Sequence, residues 1–478
     1  SMDEVAELFR TVVDGGYCIG CGSCAAFAAS SIAIELDNYG RFQATRTSNS
    51  DSDSALPVLQ VCPFSDKVRN EDQLGQNLFP NSKYHPSVGH YLSCYVGHVN
   101  DPDIRKGGSS GGMGTWVLVE LLRRGLIDGV VHVGAAHDHD DDSLPFGYRI
   151  SRTVEQIRQR SKSRYYPVEM SQVLARLRNE TGRFAIVGVP CFVKAVRLLC
   201  EHDPELNARI VHTIALFCGH LKSARFADFF GWQCGIAPGD LTSVNFRTKL
   251  PDRPASNYGI TVKGDRNSDT YTECRPNTEY PGSSWGSGFF KYHACEYCDD
   301  VVGETADVSV GDAWLPGYVD DSGGTNVVVV RNAVVHELIN SAIASGRLAL
   351  TEENATTIAQ SQDAGLRHRR EGLSYRLYVA DCANKWRPPT RQKPDADHLS
   401  AKKKRVYELR TEIARQSHTA FQQAKEQGSF DVFAHAMQPL LAEYDSLYKR
   451  SRIELLINRF RSLPGRVKRL VLRCFFKG

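Results

Sequence analysis

Between residues 91 and 332 apolar runs of strand length alternate with stretches of helical periodicity. Strands are predicted at 91–99, 129–133, 184–189 and 210–217, and helices at 113–124, 171–180, 192–200 and 222–234. Shorter strands follow around 244–247, 258–262, 306–310 and 327–330. Such alternation implies a largely parallel sheet with helices on its faces. Upstream, Ile32, Ile34 and Leu36 alternate with polar residues up to the turn Asn38-Tyr39-Gly40, and Phe42 resumes the pattern, which reads as a hairpin. Residues 66–90 are polar with scattered Pro and Gly and read as linker. Beyond 400 glycine becomes scarce, and 401–425 and 431–461 read as two helices. The fold class is therefore α/β (α+β), in three parts. A small N-terminal module with its linker covers 1–90, a central mixed α/β domain 91–395, and a helical, basic extension 396–478.

Composition narrows the function classes. The chain has 478 residues, of which 41% are hydrophobic and 24% charged, close to the globular average. No apolar run approaches the ~18 residues of a spanning helix, so an integral membrane protein is not expected. The acidic start Met2-Asp3-Glu4 lacks a cationic region followed by an apolar one, so no secretory signal is read and a cytoplasmic location is expected. The net charge of +3 hides an asymmetry: residues 401–478 hold 17 Lys and Arg against 7 Asp and Glu. The last stretch, 464–478, adds Leu470, Leu472, Phe475 and Phe476 to five cations, a pattern that lies on an anionic membrane face, docks an acidic partner, or is simply a solvated helix end. No nucleic-acid module accompanies it.

The fourteen cysteines are too sparse for a disulfide scaffold, and in a reducing setting clustered ones are metal ligands or redox groups. Cys18, Cys21 and Cys24 form C-x2-C-x2-C, and Cys62-Pro63 follows far downstream. Bacterial ferredoxins use that triple plus a remote Cys-Pro around cubane clusters, whereas structural zinc usually takes two separated pairs. A 4Fe-4S cluster is thus favoured over zinc, and residues 1–90 read as a ferredoxin-like 4Fe-4S module. Cys295 and Cys298 form a further C-x2-C pair, and Cys191 and Cys218 each follow an apolar strand-like run. Spacing alone favours a zinc pair or buried thiols for that second set. Cys94, Cys200, Cys234, Cys274, Cys382 and Cys474 have no ligand-like spacing.

Two segments suit an anionic cofactor. Gly107-Gly108-Ser109-Ser110-Gly111-Gly112 opens a predicted helix, where bare N–H groups and hydroxyls meet phosphate oxygens with help from the helix dipole. It is neither G-x-G-x-x-G nor a Walker A sequence. Ser161-Lys162-Ser163-Arg164-Tyr165 adds cations, hydroxyls and an aromatic face.

Together these motifs resemble the iron–sulfur flavoprotein family of the deazaflavin-reducing hydrogenase beta subunit, to which 7-hydroxymethyl-chlorophyll a reductase also belongs. The resemblance covers roughly residues 15–332 and includes Gly188-Val189-Pro190-Cys191 and the stretch Ala306 through Asp312 to Trp314. It implies one FAD, held by Lys106, Gly108, Ser109, Ser110, Gly111, Gly112, Thr115, Lys162, Ser163, Arg164 and Tyr165. It also implies two 4Fe-4S clusters, one on Cys18, Cys21, Cys24 and Cys62 and a second on Cys191, Cys218, Cys295 and Cys298. The chain departs from the family by carrying Cys218-Gly219-His220 in place of Cys-His-Gly, which keeps the cysteine and moves the histidine by one position. The implied activity is a reductase: a ferredoxin-like donor feeds the clusters, then FAD, then a small organic substrate or a glycan intermediate of exopolysaccharide synthesis. The alternatives are hydride exchange with a deazaflavin coenzyme, or an electron-transfer subunit that depends on a catalytic partner. His132, His137, His139 and His220 are the proton-donor candidates, and Asp312 is expected beside the C-x2-C pair. The substrate, the donor and the oligomeric state are not legible in the sequence.

Overall fold

Eight strands form the central sheet of the computed structural model, which describes residues 3–47, 56–136 and 144–448. In spatial order they are Leu348–Glu353, Ser93–Val99, Asn326–Val330, Val308–Asp312, Ile210–Leu216, Phe184–Gly188, Gly129–Ala135 and Phe146–Ser151. The expected parallel pairing holds for the four strands from Val308–Asp312 to Gly129–Ala135. The strands flanking them on both sides are antiparallel, so the sheet is mixed. Asn-Val-Val-Val-Val at Asn326–Val330 is buried at every position, the unbroken apolar run of a strand covered on both faces. Because Phe184–Gly188, Ile210–Leu216 and Val308–Asp312 run parallel, their carboxyl ends share one edge of the sheet, where open α/β sheets collect ligands. Cys191, Cys218 and Asp312 all lie at or just beyond those ends.

The segment expected to be linker is ordered. Helix Glu71–Leu78 starts at Asn70, whose side chain accepts from the Gln73 N–H while Gln73 accepts from the Asn70 N–H, a capping box that the polar composition concealed. A short hairpin, Lys83–His85 with Gly89–Tyr91, follows. The buried Arg391 holds this region down, reaching Asp72 at 3.1 Å, Asp299 at 2.8 Å and Glu304 at 2.6 Å, while Lys194 pairs with Glu71 at 3.0 Å. The predicted hairpin is Ile32–Leu36 paired with Phe42–Arg46. The first ninety residues do not have a core to themselves: Val5, Leu8, Tyr17 and Val61 pack in one cluster with Leu174, Phe184 and Phe192.

A second, three-stranded antiparallel sheet, Leu241–Thr248, Gly259–Arg266 and Asp269–Pro276, stands apart in the order of pairing. Its tight turn places Asn267 and Ser268 at φ 53° and 70°, as two-residue hairpins require. Phe246 of this sheet joins Phe226, Phe229, Phe230, Phe289, Phe290, Phe421 and Phe433 in an aromatic core. Each such buried ring contributes on the order of 1.5–3 kcal/mol. Two helices, Ala401–Gln427 and Phe430–Tyr448, are anchored there, joined through Gly428 at φ 64°. No helix among the described residues is long and apolar enough to cross a membrane. The basic stretch 464–478 lies outside the described residues, as do Cys474, His137 and His139.

Candidate functional site

The first four thiols converge. Cys24 is held well above the usual thiol range by burial and by its neighbours Cys21, Cys18 and Cys62, and Cys62 is pushed up by burial and the same neighbours. Cys18 is pushed up to about 11 by burial, against N–H groups of Gly20 and Ala44 that point at its sulfur from 3.4 Å. The Cys21 sulfur meets the Ser23 hydroxyl at 3.5 Å. Gly20 sits at φ 66°, and a Cβ there would lie 2.4 Å from the Phe42 carbonyl oxygen. Gly20→Ala should therefore cost about 1–2 kcal/mol in backbone strain alone and push the loop off the Ile32–Leu36/Phe42–Arg46 hairpin. A lowered thermal midpoint with reduced metal uptake is the expected readout.

The second four also converge. Burial raises the Cys191 thiol well above its usual range, and Cys298, Cys218 and Cys295 raise it further. Cys218 and Cys295 are pushed up to about 12 and about 11 by burial. The Leu221 N–H donates to Cys295 Sγ at 3.2 Å. Arg369, which no motif announced, donates to Cys298 Sγ at 2.9 Å. The two sets meet at Cys21 and Cys191, each of which feels the Tyr148 phenol, itself donating to the Val187 carbonyl at 2.8 Å. Among the described residues no group of three or more His, Cys, Asp or Glu is drawn close enough to ligate one metal ion.

A cavity of about 1250 Å³ opens at the carboxyl edge of the sheet. Gly108, Ser109, Ser110, Gly112 and Thr115 line it together with Lys162, Ser163, Arg164 and Tyr165, and so does Cys218. The two predicted segments are bonded to each other: the Ser163 N–H donates to Ser109 Oγ at 2.8 Å, Ser161 Oγ to the Gly107 carbonyl at 2.8 Å, and Lys162 Nζ to the Gly108 carbonyl at 3.0 Å. Gly112, at φ 87°, turns the chain into helix Met113–Arg123; the Met113 N–H donates to Asn326 Oδ1 at 3.0 Å, and Gly114 and Thr115 of the first turn line the cavity. Lys106 is exposed and Gly111 packs toward Asn326, where a Cβ would lie 2.7 Å from Asn326 Oδ1; neither lines the cavity.

Sequence reasoning missed Arg247, which lines the cavity, and Lys249, which braces the glycine-rich turn. Lys249 Nζ donates to the carbonyls of Ser110 at 2.8 Å and Gly323 at 2.7 Å. Arg247 donates to Tyr165 Oη at 3.3 Å and to the Ser109 carbonyl at 3.2 Å, and pairs with Asp312 at 3.0 Å. Asp312 is thus turned toward this arginine and away from the C-x2-C pair, whose neighbouring carboxylates are Asp299 and Asp300. Burial lowers Lys162 and Lys249 to about 8 each, with nearby cations adding to it, and burial lowers Arg164 to about 10. Crowded, desolvated cations of this kind favour an anionic guest. His132, on the cavity wall, is held to about 3 by burial and the charges of Arg160 and Arg164, so it is neutral at pH 7. His220 packs 4.6 Å from the Trp285 ring, its Nε2 has no hydrogen-bond partner among the described residues, and burial holds it well below its usual range.

Residues 94–175 match the family model for the N-terminal part of the coenzyme F420 hydrogenase/dehydrogenase beta subunit, and residues 181–356 match the model for its C-terminal part. Coenzyme F420 hydrogenase subunit beta of Methanosarcina barkeri is 24% identical over 269 residues, 55% of this chain and 82% of that protein. An uncharacterized protein of Methanocaldococcus jannaschii is 24% identical over 243 residues, 51% of this chain and 81% of its own. A solved chain of the F420-reducing [NiFe] hydrogenase complex of Methanosarcina barkeri aligns with 64% of this chain and 99% of its own at 19% identity and a TM-score of 0.47. Both halves of the family pattern occur in order over the sheet that carries the cavity, and the chain belongs to the coenzyme F420 hydrogenase/dehydrogenase beta subunit family.

Proposed function

We propose that this chain is an iron–sulfur flavoprotein oxidoreductase that passes electrons between two 4Fe-4S clusters and FAD and exchanges hydride with a deazaflavin coenzyme. The observation that carries the reading is that one cavity is lined at one place by the glycine-rich turn and its cations and at another by Cys218. The donor sets fit the groups. Each set is four soft thiols, and a cubane takes one thiolate per iron corner, so its sulfurs stand further apart than four around one zinc at ~2.3 Å. Backbone N–H groups aimed at Cys18 and Cys295 are of the kind that stabilise thiolates. When bound, clusters carry one electron at a time and a flavin converts between single electrons and hydride. Cys21 and Cys191, with Tyr148 beside both, are the residues across which the two sets communicate. Lys162, Arg164, Arg247 and the first turn of Met113–Arg123 would hold the flavin's phosphates.

The relative's name, coenzyme F420 hydrogenase subunit, supports a deazaflavin over a glycan intermediate. The word subunit supports work within a larger complex fed by a ferredoxin-like donor or a partner chain. The test is an anaerobic visible spectrum with iron, sulfide and flavin quantified on one sample. About eight irons and one flavin, with bleaching by reduced deazaflavin, are the expected result. A colourless protein, or one indifferent to the deazaflavin, overturns it.

Lys162 gives a sharper check. Removing a charge-assisted bond costs roughly 1.5–3 kcal/mol, so Lys162→Met should weaken flavin binding about ten- to a hundredfold. Since Lys162 is lowered to about 8, the wild type should lose flavin affinity as pH rises through about 8. The variant should show a flatter profile in the same flavin titration.

A further inference from the structure

Arg369 ends helix Asp363–Arg369, beyond the segment matched by the family, and is 3% exposed. Its donors are all directed at the second cysteine set. Nε donates to the Cys298 carbonyl at 2.6 Å, Nη1 to the Cys218 and Gly219 carbonyls at 3.1 and 2.7 Å, and Nη2 to Cys298 Sγ at 2.9 Å and the Asp300 carbonyl at 2.9 Å. The guanidinium is clamped by carbonyls and not by a carboxylate, so its positive charge faces the sulfurs from a fixed position; Asp299, Asp300 and Glu71 act on Cys298 in the opposite sense, and Arg369 is the strongest of the side-chain charges acting on Cys298, Cys218 and Cys295. Among the described residues the first set has no counterpart. Its sulfurs meet neutral donors, the N–H groups of Gly20 and Ala44 and the Ser23 hydroxyl, and the side-chain charges acting on them include Asp37 at Cys18 and Glu169 at Cys21.

Resting on the two-cluster reading above, we infer that Arg369 is a positioning residue that raises the reduction potential of the cluster on Cys191, Cys218, Cys295 and Cys298 above that of the cluster on Cys18, Cys21, Cys24 and Cys62. Reduction adds one negative charge to a cluster, and a fixed cation at a ligand sulfur favours the reduced form more than the oxidised one. The carboxylates near the first set act in the opposite sense. The resulting slope draws electrons from the first set toward the cavity, whose wall includes both Arg369 and Cys218.

The test is an anaerobic redox titration of the full, metal-loaded chain followed by electron paramagnetic resonance. Wild type should show the second cluster reduced at the higher potential. Arg369→Gln should make its one-electron reduction about tenfold less favourable, about 59 mV, with the first cluster unmoved. An unmoved second midpoint at about eight irons, or an equal shift of both clusters, overturns the assignment to Arg369 alone. A wild-type chain with about four irons overturns the two-cluster reading and this inference with it. Should R369Q fail to load, Arg369→Lys decides, because it keeps the charge and loses the fork. A second midpoint at the wild-type value, or below it by less than about 59 mV, supports the assignment, and one lowered by about 59 mV or more with the charge still present overturns it.

Discussion

Cys191→Ala should strip about four of about eight irons and stop one-electron donors from reducing the flavin, while exchange between flavin and reduced deazaflavin persists. The split follows from where Cys191 stands. It is the second residue of helix Pro190–His202, reached directly from the carboxyl end of Phe184–Gly188, and it feels Cys298, Cys218 and Cys295 on one side and Cys21 on the other. Removing it deprives the second set of one corner and breaks the approach between the sets. On the proposed function, hydride would reach the flavin without crossing either set, so that half-reaction should be spared. Iron analysis with two reductants, a reduced ferredoxin and a reduced deazaflavin, separates the outcomes. Unchanged iron sinks the ligand assignment, and loss of both half-reactions shows a collapsed cavity instead.

What the sequence made legible was local. Cys18, Cys21 and Cys24 lie within one loop, so their spacing alone groups three thiols. The glycine-rich turn and the Ser-Lys loop were each visible as segments, although their mutual bonds, such as the Ser163 N–H to Ser109 Oγ, span fifty-four positions and have no sequence signature. Arg247, Lys249 and Arg369 were invisible for the same reason: a lone cation in a strand or at a helix end looks like any solvated charge until the fold aims it. Asp312 was misplaced because nearness in sequence to the C-x2-C pair outweighed its partner Arg247, sixty-five positions away. The parallel strands were readable from unbroken apolar runs, but the short antiparallel strand Phe146–Ser151 carries Gly147 and Arg149 among its apolar residues and left no comparable run. The helix at Glu71–Leu78 was hidden by polarity, since its stability comes from its cap and from Lys194 and Arg391 rather than from an apolar stripe.

Glu296→Gln should destabilise the fold by about 3–5 kcal/mol, the range for breaking a buried ion pair and leaving its partners uncompensated. Glu296 lies inside the C-x2-C pair, 2% exposed, and its carboxylate pairs closely with the Lys291 ammonium and with Arg376 at 2.9 Å. Both cations are themselves buried, and burial pulls each below its usual range, which shows how much they depend on this carboxylate. Thr411, on the helix Ala401–Gln427, reaches the same carboxylate at 3.5 Å, so the damage spreads from the second thiol set into the C-terminal helices. The pH dependence has a definite sign. Lys291 and Arg376 hold the carboxyl down to about 2, against burial, from an ordinary value of 4.5. A depressed carboxyl stabilises the fold above its unfolded pKa and loses that contribution as pH falls toward the folded one. The gap between wild type and Glu296→Gln in thermal midpoint should therefore be constant from pH 8 to about 5 and narrow below about 4.5. A gap that widens on acidification, or a variant as stable as wild type at pH 7, would show that the cations draw their compensation from elsewhere.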